Sequence, residues 1–181
     1  MLDVHYKTLL EAELAAYTPA DPQEAAHRAA MLRFLRAEAA PFSRDTRTGH
    51  FTASAVVTNA DDTHLALIWH VKLGVWVQPG GHCEPTDADL PAAALREASE
   101  ETGIAAQDLR RQGATPFDLD VHIIPARGDF PAHPHYDVRY WFRATPDAVT
   151  NPESDLRWLP TAEVAAWDDA SQARFARKLV R

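Results

Sequence analysis

The chain has a single cysteine, Cys83, in 181 residues, which excludes an internal disulfide framework and fits a reducing compartment. Basic residues are also short: 18 Lys and Arg stand against 26 Asp and Glu, for a formal net charge of -8. That balance excludes a general nucleic-acid binder, because no surplus cation is available to displace the counterions of phosphates. A small phosphorylated ligand stays compatible if a divalent metal neutralises the contact. No apolar run approaches the roughly 20 residues that span a bilayer, so no membrane partner is expected. The opening MLDVHYKTLLEAELAAY has neither the basic region nor the apolar core and cleavage site of a signal peptide, and the expected location is the cytoplasm. There is no internal repeat and no low-complexity tract.

What is present is an ordinary globular composition, 46% hydrophobic and 24% charged, in a chain long enough to bury a substantial core. The first forty residues are Ala-rich and helical. Leu9, Leu10, Leu14 and Tyr17 fall on one face of a first helix that ends at Thr18-Pro19. Asp21-Pro22 offers a cap and a first-turn proline for a second helix through about Ala39, with Met31, Leu32 and Leu35 as its apolar contacts. Such a pair suits a cover for one side of the domain, or a homodimer contact.

At His50 the character changes. HFTASAVVT and HLALIWH read as short strands joined by the turn-like NADD, and VWVQ as a third strand leading into Pro79-Gly80-Gly81. A helix around Ala92–Thr102 follows. FDLDVHIIPA, YDVRYWFRA and DLRWLP are later strands, TAEVAAW starts with a Thr cap, and SQARFARKLV is a terminal helix. Short strands around one central helix predict an α+β layered fold.

The central helix carries the chemistry. At about 100° per residue, Glu97, Glu100 and Glu101 share one face, and Arg96 lies one turn before Glu100. Unpaired, the three carboxylates would raise each other's pKa. A hard cation removes that conflict, and Mg²⁺ favours a few carboxylates together with substrate phosphates and water. A solvated acidic face would show three glutamates too. The ordered string Arg96-Glu97-x-x-Glu100-Glu101-x-Gly103 is more demanding, with a chance occurrence on the order of 10⁻⁴ at average residue usage. Gly103 fits a left-handed C-cap.

Gly81 to Ile104 resembles the signature of the Nudix hydrolase superfamily, G-x5-E-x7-R-E-U-x-E-E-x-G-U, where U is apolar. Its second half matches at Arg96, Glu97, Ala98, Glu100, Glu101, Gly103 and Ile104. Its first half departs twice: Asp87 stands where glutamate is expected, and eight residues rather than seven precede Arg96. The extra residue falls in the loop before the helix, where a single insertion costs well under ~0.6 kcal/mol. The partner of Arg96 is left open among Asp87, Asp89 and Glu84. The resemblance implies an α/β/α sandwich with a mixed sheet and a loop–helix–loop box over residues 49–181, after an N-terminal helical extension at 1–48. It also implies Mg²⁺- or Mn²⁺-dependent hydrolysis of a nucleoside diphosphate derivative. By match, Glu100 and Glu101 would be the principal metal ligands and Glu97 a ligand or the water-activating base. The Gly81 carbonyl would be a further ligand, with Arg96 orienting the glutamates. A non-catalytic nucleotide-sensing module on the same fold is the alternative; a partner-binding protein with a merely acidic surface helix is a third reading.

Other residues are candidate substrate contacts. Alternation places Asp118, Asp120 and His122 on one strand face and His135, Asp137 and Arg139 on another, with Val121, Ile123, Tyr136, Val138 and Tyr140 toward the core. The crowding of His122, His133, His135 and Arg139 suits phosphate recognition, and a zinc site from His122, His133 and His135 is compatible with the ligand type. Lys72 stands just before the LGVW strand, and Gln78 and His82 flank the glycines. Glu153 and Asp155 could supply a further ligand or the base. Cys83 would need a histidine base to act as a nucleophile. His82, its neighbour, points the other way on an extended chain, which leaves the thiol a bystander.

Overall fold

The computed structural model describes residues 2–71, 74–152 and 154–180. The helices are α1 (Leu2–Ala16), α2 (Pro22–Ala37), α3 (Leu90–Thr102), α4 (Thr161–Ala165) and α5 (Ala170–Leu179). The strands are β1 (His50–Thr58), β2 (His64–His70), β3 (Val75–Val77), β4 (Gly80–His82), β5 (Leu109–Gln112), β6 (Asp118–Ile124), β7 (His133–Ala144) and β8 (Leu156–Pro160). These strands form one mixed sheet with the path β3-β2-β1-β7-β5, to which β4 adds on β1, β6 on β7 and β8 on β2. The β1–β7 pair is parallel, His50 opposite His135 through Thr58 opposite Arg143. The expected α+β sandwich with N-terminal helices is the observed architecture.

Every residue of β1 is buried, so the sheet is covered on both sides. Phe51, Ala53, Ala55 and Val57 face a core shared with Leu10, Leu14, Met31 and Leu35 of the first two helices and Ala94 and Ala98 of α3. Burying side chains such as Leu10 and Leu14 stabilises by roughly 1.5–3 kcal/mol each. Val56, on the opposite face, joins Leu65, Leu67, Phe175 and Ala176 beneath α4 and α5. The rest of that second face is polar. Pairing sets His50, His135 and His122 in one row across β1, β7 and β6. The next row holds His82, Thr52, Asp137 and Asp120, and the one after it Gly80, Ser54, Arg139 and Asp118.

Local chemistry fixes the helix ends. Asp21 caps α2 by accepting from Glu24 N–H at 2.8 Å, and Glu24 reaches back to Ala20 N–H at 2.6 Å. Asp89 caps α3 through Ala92 N–H at 2.8 Å. At its other end Gly103 has φ 72°, and its N–H donates to the Ser99 carbonyl.

Some sequence expectations need correction. Leu9 is 39% exposed, because Tyr6, Leu10 and Leu14 already fill the buried stripe of α1. Ile123 is 65% exposed rather than in the core, because the last residues of β6 run past the cover that buries Asp118 to Asp120. Thr161 does not cap α4; it is the first helical residue, and its hydroxyl donates to the Asp62 carbonyl at 2.9 Å. The triplet Gly80–His82 and the segment Leu109–Gln112 are strands that the sequence did not announce.

Candidate active site

The loop before α3 and the helix itself converge on β4. Arg96 donates from Nε to Asp87 Oδ1 at 3.0 Å and from Nη2 to Asp87 Oδ2 at 3.1 Å, a two-point pair that identifies its partner. Asp87 is buried, and its Oδ2 also accepts from Glu84 N–H at 2.8 Å, so the shorter carboxylate is drawn in by a tight turn. The hydroxyl of Tyr6 donates to the Asp87 carbonyl and ties α1 to this loop. Arg96 also reaches Glu97 Oε1 at 2.9 Å, Glu100 Oε2 at 3.3 Å and the His82 carbonyl at 3.0 Å. Its guanidinium pKa is raised, foremost by the hydrogen bonds to Asp87.

The glycines are required by proximity. A Cβ on Gly81 would lie 2.5 Å from Glu97 Oε1, and one on Gly80 would meet Ser54 Oγ at 2.2 Å. The Gly80 N–H donates to Glu101 Oε2 at 3.0 Å. Burial raises the pKa of Glu97, with the charges of Glu100 and Glu84 adding and Arg96 opposing. Burial likewise raises that of Glu101, with Glu97 and Glu100 adding and the Gly80 N–H opposing. Glu100 remains open, its side chain 59% exposed. Carboxylates beside close-approaching backbone make a hard-oxygen donor set, and Glu97, Glu100, Glu101 and the Gly81 carbonyl are the groups that could hold a Mg²⁺- or Mn²⁺-type ion.

Other candidates are placed variously. Lys72 and Glu153 lie outside the described residues. Gln78 turns inward and donates to Asp137 Oδ2 at 3.2 Å. Arg139 is not free to meet a substrate: it is 2% exposed and paired with Asp137 at 2.8 Å, Asp118 at 3.1 Å and Asp120 at 3.4 Å. Arg174 and Lys178 from α5 complete this network on Asp118, at 2.8 and 2.7 Å. Against the desolvation that opposes it, the Arg174 hydrogen bond with the charges of Arg139 and Lys178 holds Asp118 below the usual carboxylate range, and the His122 hydrogen bond with the Arg139 charge does the same for Asp120. Asp155 lines a separate groove of about 510 Å³ with Trp69, Trp76 and Arg157, which includes none of the box carboxylates. Burial pushes the Cys83 thiol up to about 12, as expected of a bystander.

The histidines gather differently from the expected trio. His133 and His135 come together with His50, their ligand nitrogens within 4.8 Å of one another. His122 instead places Nδ1 at 3.1 Å from Asp120 Oδ2, which raises its pKa. His82 brings Nε2 to 3.0 Å from His50 Nε2. Burial lowers the pKa of His50 to about 4 and that of His135 to about 3, with neighbouring imidazoles adding to both. At neutral pH these rings offer hydrogen bonds rather than positive charge to a phosphate. His50 was missed as a site residue because nothing in its own strand marks it; the β1–β7 register brings it in.

The fold and this helix-borne cluster define an α/β/α sandwich built around a loop–helix–loop carboxylate site. Structures of similar fold include the Ap4A hydrolase of C. elegans, 17% identical with a TM-score of 0.54, covering 71% of this chain and 93% of that one. Another is the MutT protein of Methanosarcina mazei Go1, 16% identical with a TM-score of 0.55, covering 74% and 94%. A NUDIX domain family model matches residues 48–179. The chain belongs to the Nudix family.

Proposed function

We propose that this protein is a divalent-metal-dependent hydrolase that cleaves the pyrophosphate linkage of a nucleoside diphosphate derivative. The observation that carries the reading is the seating of Glu97 and Glu101 against Gly81 and Gly80, with Glu100 open beside them. Glu97, Glu100, Glu101 and the Gly81 carbonyl would hold Mg²⁺ or Mn²⁺. When bound, that ion withdraws charge from the phosphate oxygens and makes a bound water more acidic. Arg96, anchored on Asp87, fixes the rotamers of Glu97 and Glu100. Glu97 is half-buried with a raised pKa and is the carboxylate suited to take a proton from the attacking water.

The nucleotide part of the reading draws on the groove at the β2–β3 edge. There Trp69 and Trp76 pair at 5.2 Å between ring centroids, and Arg157 lies 5.1 Å over Trp76. Aromatic faces beside a guanidinium suit a base and a phosphate. The fold-level likeness to an Ap4A hydrolase is compatible with a dinucleoside polyphosphate as one such substrate.

The test is a substrate screen with product identification, in Mg²⁺ and in Mn²⁺, on the wild type and on Glu100→Gln and Glu101→Gln. We expect turnover in the wild type and a fall of at least ~10²-fold in kcat in each variant, with the melting temperature nearly unchanged. Wild-type rates in both variants would refute the site. Tight nucleotide binding without any product would favour the sensing module instead.

A further inference from the structure

Five of the nine histidines stand on the polar face of the sheet: His50, His82, His122, His133 and His135. Their ring centroids are spaced at 4.6 Å for His50–His135, 5.0 Å for His50–His133 and 5.3 Å for His133–His135. Sheet geometry alone explains the convergence. His50 and His135 are register partners on adjacent parallel strands, and His133 is two residues back along β7 on the same face.

The ring nitrogens are also sorted. A carbonyl can only accept, so the Nδ1 of His133, 2.9 Å from the Pro131 carbonyl, must donate, which leaves Nε2 with its lone pair. The Nδ1 of His50 faces the Thr46 carbonyl in the same sense at 3.5 Å, and its Nε2 points to His82. A ligating histidine characteristically donates its other ring N–H to a carbonyl or carboxylate, which fixes both tautomer and ring orientation. His50 and His133 are buried, so their rings are held by packing.

We propose that His50, His133 and His135 form a second metal site, selective for a borderline dication of the zinc type and separate from the carboxylate cluster. Three imidazoles suit Zn²⁺, Co²⁺ or Ni²⁺ far better than the oxygen-seeking Mg²⁺. His82 lies beside the trio, its Nε2 3.0 Å from the Nε2 of His50. It is the last residue of β4, and its own carbonyl accepts from Arg96 at 3.0 Å. An ion among these rings therefore sits on the far side of the strand that carries Gly80 and Gly81, and would brace the strand against which the glutamates pack. The site does not depend on the proposed hydrolysis.

The full chain is stripped with chelator, then loaded with Zn²⁺ or Co²⁺ without substrate. We expect one equivalent of Zn²⁺ to survive gel filtration, a rise in melting temperature, and a tetrahedral Co²⁺ absorption spectrum. Glu100→Gln should keep all three; His135→Gln and His133→Gln should lose them while keeping the wild-type far-UV circular dichroism. Should a His variant misfold, the Co²⁺ spectrum of the wild type and of Glu100→Gln still decides. An octahedral Co²⁺ spectrum, metal that disappears with Glu100→Gln, or metal retained by a folded His135→Gln would each overturn the proposal.

Discussion

Asp87 shows how one shortened side chain can be accommodated by its surroundings. The family pattern expects glutamate there, and the extra loop residue together with the Glu84–Asp87 turn brings the shorter carboxylate onto the Nε–Nη2 edge of the Arg96 guanidinium. Asp87→Asn should lose most of this charge-assisted pairing. We expect a fall in stability of about 2 kcal/mol, read by urea unfolding, and a larger loss in kcat than in KM as Glu97 and Glu100 gain freedom. Gly81→Ala is the sharper test. Its Cβ would displace the Glu97 carboxylate, so activity should fall at least ~10-fold while the melting temperature moves little. These residues were legible because they lie in one contiguous string. The choice of Asp87 over Asp89 and Glu84 was not, because it depends on a turn and a helix cap: Asp89 is used on Ala92 and Glu84 contributes its backbone.

Among the elements, β1 and β2 were readable to the residue, since their alternating or continuous apolar runs end in turn residues. β4 was not, because Gly-Gly-His has no strand propensity; pairing with Thr52, Ala53 and Ser54 makes it a strand. The same limitation hid the histidine cluster, which is a property of register across strands rather than of any one segment. Gly103 is the element-scale prediction. Its φ of 72° and a Cβ position 2.5 Å from Asn151 Cβ mean that Gly103→Ala carries both conformational strain and overlap. Chemical denaturation should show at least ~1 kcal/mol of destabilisation, without loss of the metal affinity proposed for the glutamates.

The molecule as a whole should be acid-sensitive in two stages. His50 and His135 are depressed to about 4 and about 3 by burial and by neighbouring imidazoles, His82 and His133 acting on both. An unfolded histidine takes up its proton near pH 6.5. Unfolding therefore binds protons between that pH and the folded values, and stability falls as pH drops through this window; above about pH 7 the contribution of these two histidines is constant. Asp118 and Asp120 add a second stage. Their stabilisation is complete above the unfolded value near 3.9 and is lost below it as their lowered folded pKa values are approached. Melting temperature against pH should decline as pH falls from about 6.5, and His135→Gln should flatten the first stage only. Asp118→Asn removes the buried carboxylate that Arg139, Arg174 and Lys178 share and should destabilise by about 3–5 kcal/mol at pH 7.

Glu24 has a consequence for how the chain holds itself together. Its fully buried carboxylate accepts from Tyr17 at the end of the first helix, from the Leu119 N–H in the sheet and from Lys178 in the last helix. Segments far apart in sequence thus share one acceptor. A protease cut in the exposed turn between α2 and β1 would sever the backbone without releasing either piece. The two fragments should co-elute as a nicked complex, and, expressed separately, they should find each other and rebuild the fold. Glu24→Gln should weaken that reassociation.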